Sequence, residues 1–293
     1  MTDAGNLWRC YDMPPEEINA SLSTKNELDL LWYKSDRMKK LYLAFFLFLV
    51  VCLSSCVDLE EQYDFYPDGS CNVTYNFDMS KAISVLVNLL ADSVKQSPQF
   101  KMVKDTSVNF YAMLPDSIRQ KMDSAQLAMS KTSDLSIRMN LNQNIMKASI
   151  KHSANNSAEL DYYLQNVSRI TSGEHLNSFI SDKKAAKNVN VNGNELMFLQ
   201  DYYKYDIGPH KFYRTIDKSK FSKYIKKNEA MFNLSKAMLI DMPYKITMNF
   251  PEPVTKIDNK RAVLSADKKS VTIETNIEDA FKNPDVMNFK IDY

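Results

Sequence analysis

Residues 63–80 read YDFYPDGSCNVTYNFDMS, and they set the fold class. With Leu59 before them, Tyr63 and Phe65 alternate with Glu60, Gln62 and Asp64. Cys71, Val73, Tyr75 and Phe77 then alternate with Asn72, Thr74, Asn76 and Asp78. Successive strand side chains point to opposite faces, so this period of two predicts strands with one buried side. Pro67-Asp68-Gly69-Ser70 lies between the two runs. Proline presets φ for a turn and glycine accepts φ > 0, so the runs form a hairpin. The alternation also puts the Cys71 thiol on the apolar side, as a buried and inert group.

Outward from this hairpin, helical and strand patterns take turns. Asp78 or Ser80 caps a helix whose apolar stripe is Ile83, Leu86, Val87, Leu90 and Val94, and Pro98 follows its stop. Residues 100–113 alternate around Val108 and Phe110, and residues 115–130 look helical and polar with weak caps. A second hairpin pairs Leu135, Ile137, Met139 and Leu141 with Met146, Ala148 and Ile150 across Asn142-Gln143-Asn144. A helix from about Ser157 uses Leu160, Tyr163, Leu164 and Val167, and Gly173 interrupts it before Leu176, Phe179 and Ile180. Residues 182–194 are polar and read as a loop. Residues 196–205 and 211–216 form a third strand pair around Gly208-Pro209. Residues 219–240 read as helix with Phe221, Tyr224 and Ile225 inward. Tyr244, Ile246, Met248 and Phe250 open a last group of strands, which continues through Val263, the turn 266–269 and Val271, Ile273, Thr275 and Ile277. Met287, Phe289, Ile291 and Tyr293 close the chain. Hairpins separated by helices predict an α+β fold, an antiparallel sheet with helices packed on one face.

Composition narrows the function classes. The chain has 37 basic and 36 acidic side chains, a net charge of +1, which leaves no electrostatic footprint for nucleic acid. Five glycines argue against glycine-rich phosphate loops. His152, His175 and His210 stand far apart and read as surface or cap residues, so neither a metal nor a cofactor is expected. Glu60-Glu61 and Glu278-Asp279 are adjacent on predicted strands and would face opposite ways. Lys220, Lys223, Lys226 and Lys227 form a basic helix face beside Phe221 and Tyr224, read as solvated.

Residues 38–56, MKKLYLAFFLFLVVCLSSC, stand apart from the rest. Lys39 and Lys40 precede the uncharged run 41–51, which is too short to span a bilayer comfortably and long enough for a secretory core. Leu53-Ser54-Ser55-Cys56 resembles the recognition site of a bacterial lipoprotein leader. That resemblance implies cleavage before Cys56 and an acyl (palmitate-type) anchor on its thiol. A short buried helix and an uncleaved signal anchor are the competing readings of the run. Domain boundaries follow: 1–37 a non-native extension from an early start, 38–55 signal peptide, 56–62 an acidic tether and 63–293 one α+β domain. With Cys10 and Cys52 removed and Cys56 acylated, Cys71 remains alone, so no disulfide framework exists.

The mature part is similar to a family of Bacteroidota-type lipoproteins. The likeness rests on the hairpin 63–80 and on residues 244–271, YKITMNFPEPVTKIDNKRAVLSADKKSV, and does not cover the middle of the chain. A looser likeness extends to LppM-type lipoprotein domains, which pair a Gly-Ser hairpin with a late FP-x-V strand. The family implies a cell-envelope, lipid-anchored protein of the outer membrane, on its periplasmic or surface face. Asp92-Ser93-Val94, Asp116-Ser117-Ile118 and Asp123-Ser124-Ala125 resemble the O-glycosylation site of that phylum, which makes Ser93, Ser117 and Ser124 candidates. The matching motifs are turns and carry over no catalytic residues. Expected partners are the membrane, through the lipid on Cys56, and an envelope protein, glycan or apolar ligand. The expected function is non-catalytic binding, with an envelope hydrolase assembled from distant segments as the alternative.

Overall fold

The computed structural model describes residues 58–97, 100–170, 199–227, 229, 230, 233 and 242–293. All of them belong to one unit that spans residues 55–293. The fold is α+β, as the hairpin pattern predicts. The quoted hairpin is present as β1 (Asp58–Phe65) and β2 (Cys71–Asp78), with Tyr63 opposite Val73 and Phe65 opposite Cys71. Gly69 takes φ +84° in the turn, where a Cβ would be strained. The second hairpin is β4 (Ser133–Asn140) and β5 (Ile145–Ala154), and β3 (Val103–Asn109) pairs outside β4. With β8 (Pro243–Asn249), β10 (Ala262–Leu264) and β11 (Ser270–Asn276), these strands make an eight-stranded sheet in the order β10-β11-β8-β1-β2-β5-β4-β3.

The inward residues of this sheet keep the parity read from sequence. Tyr63, Val73, Leu135, Ile150, Ile246, Met248, Val271 and Ile273 are fully buried. The opposite face is polar, with Asn72 Oδ1 accepting from Ser153 Oγ and Asn76 Oδ1 from Ser149 Oγ. One pairing departs from the antiparallel expectation: β8 runs parallel to β1, with Tyr63 beside Met248. Strands so distant in sequence meet with no short turn between them, and hairpin signals report only neighbours.

Helices do not cover the inner face alone. A four-stranded sheet, β6 (Tyr203–Gly208), β7 (Lys211–Ile216), β12 (Phe289–Asp292) and β9 (Lys256–Ile257), shares it in the order β6-β7-β12-β9. Its Phe212 ring lies 5.0 Å from Tyr63 and 5.2 Å from Phe65. A long helix (Ser157–Ile170) covers the β2–β5 side, burying Leu160, Tyr163, Leu164 and Val167 as its spacing predicts.

The remaining helices refine the sequence reading. Numbered in chain order, the helices among the described residues are α1 (Ser80–Leu89), α2 (Asp92–Lys95), α3 (Phe110–Met113), α4 (Asp116–Arg119), α5 (Ser124–Lys131), α6 (the helix at 157–170), α7 (Lys218–Lys227) and α8 (Ile277–Lys282). The 115–130 segment is two helices, and α5 is firmly capped: Asp123 and Gln126 form a reciprocal capping box. Ile277, expected in the last strand group, instead opens α8, because Asn276 Oδ1 caps the Glu278 N–H. Glu278 and Asp279 therefore sit in a helical first turn. The expected stripe is only partly filled: Ile83, Val87 and Leu90 are half-buried, and Leu86 and Val94 are exposed. The predicted 173–180 turn, the 182–194 loop and most of the 228–240 helix lie outside the described residues.

Residues 58–62, expected as a tether, are the first half of β1. Glu61 shares the parity of Tyr63 and is therefore carried into the core, where it is 2 % exposed. It meets Arg214 of β7, which is fully buried; Arg214 Nη1 donates to Glu61 Oε2 at 2.7 Å. Tyr63 OH donates to the same oxygen at 2.9 Å, and Tyr244 OH and Gln200 Nε2 donate to Oε1. Arg214 Nε donates to the Met287 carbonyl, and the guanidinium lies 4.3 Å from the Tyr203 ring centre and 4.8 Å from that of Phe289. Burial pulls the guanidinium down, but the Glu61 carboxylate together with Tyr203, Tyr205 and Tyr63 outweighs it and holds Arg214 charged. Burial, reinforced by that carboxylate, pushes the Tyr63 and Tyr75 hydroxyls well above their ordinary range, so both stay neutral donors.

Removing one partner leaves a buried charge unpaired, at a cost of about 3–5 kcal/mol. Glu61→Leu and Arg214→Leu are each expected to lower urea-unfolding stability by about that amount. The double variant is expected to lose far less than the sum of the two. Equal losses, summed without coupling in the double variant, would refute the pair as the joint between the sheets.

Candidate functional site

β1, β3, β5 and β8 run in one direction, and β2, β4 and β11 in the other. The sheet therefore has one end at Asp58, Asp78, Val103 and Pro243, and another at Phe65, Cys71, Asn109 and Asn249. At the second end lies a cleft of about 520 Å³. Its walls come from four places: the β1–β2 turn (Tyr66, Pro67, Asp68), the β6–β7 turn (Pro209, His210), the loop after β8 (Pro251, Glu252) and the start of α6 (Asn156, Ser157). Tyr293 at the chain end completes it.

Each wall is fixed locally. Tyr66 N donates to Ser70 O at 2.9 Å, and Asp68 Oδ1 accepts from Ser70 Oγ at 2.6 Å and from Ser70 N at 3.0 Å. These two bonds hold the Asp68 carboxyl below its usual range, so it is an ionised acceptor. Asn72 Nδ2 donates to Tyr66 OH at 3.0 Å and steadies that exposed ring. Phe65 forms the floor and stacks on Phe250 at 5.1 Å, and Phe250 lies 4.3 Å from Tyr293. Tyr293 N donates to His210 O, which ties the chain end to the β6–β7 turn. Burial pushes the Tyr293 hydroxyl up to about 12, so it is a neutral donor. At α6, Asn156 Oδ1 accepts from Glu159 N, and Glu159 Oε2 accepts from Asn155 N, so those groups are already paired. Aromatic and proline rings thus line a hollow rimmed by carboxylates, an amide and hydroxyls. That combination suits a ligand with both apolar faces and many hydroxyls.

A second concavity of about 410 Å³ lies between α5 and α6 over His152. The alternation of Ile150, His152 and Ala154 carries His152 inward, where it is 4 % exposed and stacks on Tyr163 at 3.7 Å. The surface or cap role expected for this histidine is therefore wrong, for the same reason that Glu61 is buried. Ser133 Oγ donates its proton to the Met129 carbonyl at 2.7 Å and so accepts from His152 Nδ1 at 2.8 Å. That bonding assigns the Nδ1–H tautomer. Burial lowers the imidazole to about 4. The Glu159 carboxylate opposes this and does not overcome it.

The residues singled out in the sequence do not converge. Leu53, Ser54, Ser55, Cys56 and His175 lie outside the described residues. Ser93 (α2), Ser117 (α4) and Ser124 (the first residue of α5) are exposed on separate helices. Cys71 is a buried free thiol pushed up by desolvation, and His210 is exposed at the cleft rim, 3.8 Å from Glu252. Lys220, Lys223, Lys226 and Lys227 are exposed along α7. Among the described residues no three His, Cys, Asp or Glu side chains gather to hold a metal ion, and no helix is long and apolar enough to cross a membrane. Sequence reasoning missed the cleft because its lining comes from turns far apart in the chain. The signal that was available is the recurrence of proline and aromatic residues at those turns: Tyr66-Pro67, Pro209-His210 and Phe250-Pro251. Compared with known proteins, the chain matches no family model, no curated protein and no solved structure.

The His152 geometry makes stability depend on pH. Its folded-state value of about 4 lies below the unfolded value of about 6.5, so between them only the unfolded chain takes the proton. The folded state keeps its full advantage above pH 6.5 and loses it as pH falls toward 4, by up to about 3 kcal/mol. His152→Phe keeps a ring to stack on Tyr163 and removes the titration. The stability difference between wild type and this variant is expected to shift against wild type from pH 7 to pH 4.5. A difference that stays flat with pH would show that His152 is not held neutral.

Proposed function

We propose that this chain is a non-catalytic lipoprotein of the bacterial cell envelope, anchored in the outer membrane through Cys56, that binds a glycan in the cleft at the far end of its sheet. One observation carries the reading. β1 starts at Asp58, two residues after Cys56, and runs straight to Phe65 and Tyr66 in the cleft. An eight-residue strand spans roughly 26 Å at about 3.3 Å per residue. An anchor on Cys56 therefore holds the cleft clear of the lipid and open to the surrounding envelope.

The cleft chemistry supports a sugar ligand. Sugar rings present C–H faces, which pack on Tyr66 and Tyr293, and hydroxyls, which pair with Asp68 and Glu252. The two aromatic walls, one in the β1–β2 turn and one at the chain end, are locked together by the Phe65–Phe250–Tyr293 cluster, so the cleft is preformed.

Two measurements test the reading. Palmitate labelling in a Bacteroidota host is expected to mark a chain that begins at Cys56 and to vanish in Cys56→Ala. Titration with envelope polysaccharides is expected to reveal a binder whose affinity falls about tenfold in Tyr66→Ala/Tyr293→Ala, equivalent to about 1.4 kcal/mol. An unlabelled full-length chain would sink the anchored reading. Affinity unchanged in the double variant would sink the cleft assignment, and release of reducing ends from a bound glycan would make the protein a hydrolase.

A further inference from the structure

The end of the sheet opposite the cleft has its own surface. Asp58 pairs with Asp78, and α1 starts two residues beyond Asp78, so α1 leaves the sheet at the end nearest Cys56. It is pinned there by Met79 N donating to Met146 O and by Met146 N donating to Ser80 Oγ. Beyond this point Ala82 is buried and Ile83 and Val87 are half-buried, while two leucines face the open. Leu86 is 39 % exposed, Leu89 71 % and, in α2, Val94 45 %. Val103 opens β3 at the same end, opposite Asn140, and is 63 % exposed. Exposed aliphatic residues scattered singly need no explanation, but here three lie on two successive helices of a segment that leaves the sheet and returns to it at this same end, which points to a contact surface.

The length of chain between Cys56 and β1 selects the occupant. Two residues reach at most about 7 Å, so an acyl chain on Cys56 brings this end of the sheet down to the headgroups. Amphipathic helices at that depth bury their apolar side roughly 5–10 Å into the headgroup–acyl boundary. We infer that Leu86, Leu89 and Val94 form a membrane-contact surface that lies in the lipid interface beside the anchor and fixes how the domain stands on the bilayer. This inference rests on the proposed acylation of Cys56. It also separates the three candidate O-glycosylation sites. Ser93 lies between Leu89 and Val94 and would be occluded, whereas Ser117 and Ser124 follow the far end of β3 and stay clear of the lipid.

Both tryptophans, Trp8 and Trp32, precede Cys56, so the acylated chain has none and a single introduced tryptophan reports its own position. The acylated protein carrying Leu89→Trp would be reconstituted in phosphatidylethanolamine–phosphatidylglycerol vesicles containing brominated acyl chains. Its emission is expected to shift to the blue and be largely quenched, while Tyr66→Trp, at the cleft, keeps its emission. Both positions are exposed, so neither change disturbs the core. Acylated protein that floats with the vesicles while Leu89→Trp stays unquenched would overturn the contact surface and leave the anchor intact. A purified chain without the acyl mass would overturn the anchor and this surface together.

Discussion

The buried ion pair between Glu61 and Arg214 is the constraint on which the rest of the architecture depends. Each charge comes from a different sheet, and each is enclosed where solvation is lost. The Glu61 carboxylate is saturated, accepting from Tyr63, Tyr244 and Gln200 as well as Arg214, whereas Arg214 reaches the Met287 carbonyl through Nε, faces the Tyr203 and Phe289 rings and leaves Nη2 without a hydrogen-bond partner. A carboxylate so fully bonded has one geometry, so the four-stranded sheet has one seat on the larger sheet. Apolar packing between Tyr63, Phe65 and Phe212 supplies attraction without direction, and the ion pair supplies the direction.

That seat has consequences at both ends of β1. Because β7 and β12 are fixed over β1, the β6–β7 turn and the chain end come to lie beside the β1–β2 turn, and the cleft forms between them. At the other end, α1 departs from the same edge at which β1 begins. Under the proposed reading, one strand thus carries the anchor at its start and the binding site at its finish. Sheet polarity alone keeps the two apart.

Much of the fold was legible because it is local. The hairpins at 63–80 and 135–150 and the buried stripe Leu160, Tyr163, Leu164, Val167 follow from periodicity and turn chemistry, and they occur at the expected residues. Polar residues at inward positions were misjudged. Glu61 and His152 share the parity of their apolar neighbours, and neither the tether reading of 56–62 nor the surface-or-cap reading of His152 uses that parity. Parity alone would have placed both correctly, because a strand cannot turn one side chain around without breaking register. The α1 stripe erred in the opposite sense: helical spacing shows that a face is apolar but not whether anything covers it.

By itself the sequence determined the elements, their faces and the α+β class, since φ/ψ preference, alternation and capping act over a few residues. The expectation of a signal peptide over 38–55 likewise rests on local composition alone. Only the tertiary structure decided the parallel pairing of β1 with β8, the second sheet over the core, the partner of Glu61 and the composition of the cleft. Those contacts join residues from opposite ends of the domain, as in Phe65 and Tyr293, whose rings lie 5.7 Å apart. Which distant segments meet is settled by how all the buried surfaces and buried polar groups can be satisfied at once, and no local pattern encodes that.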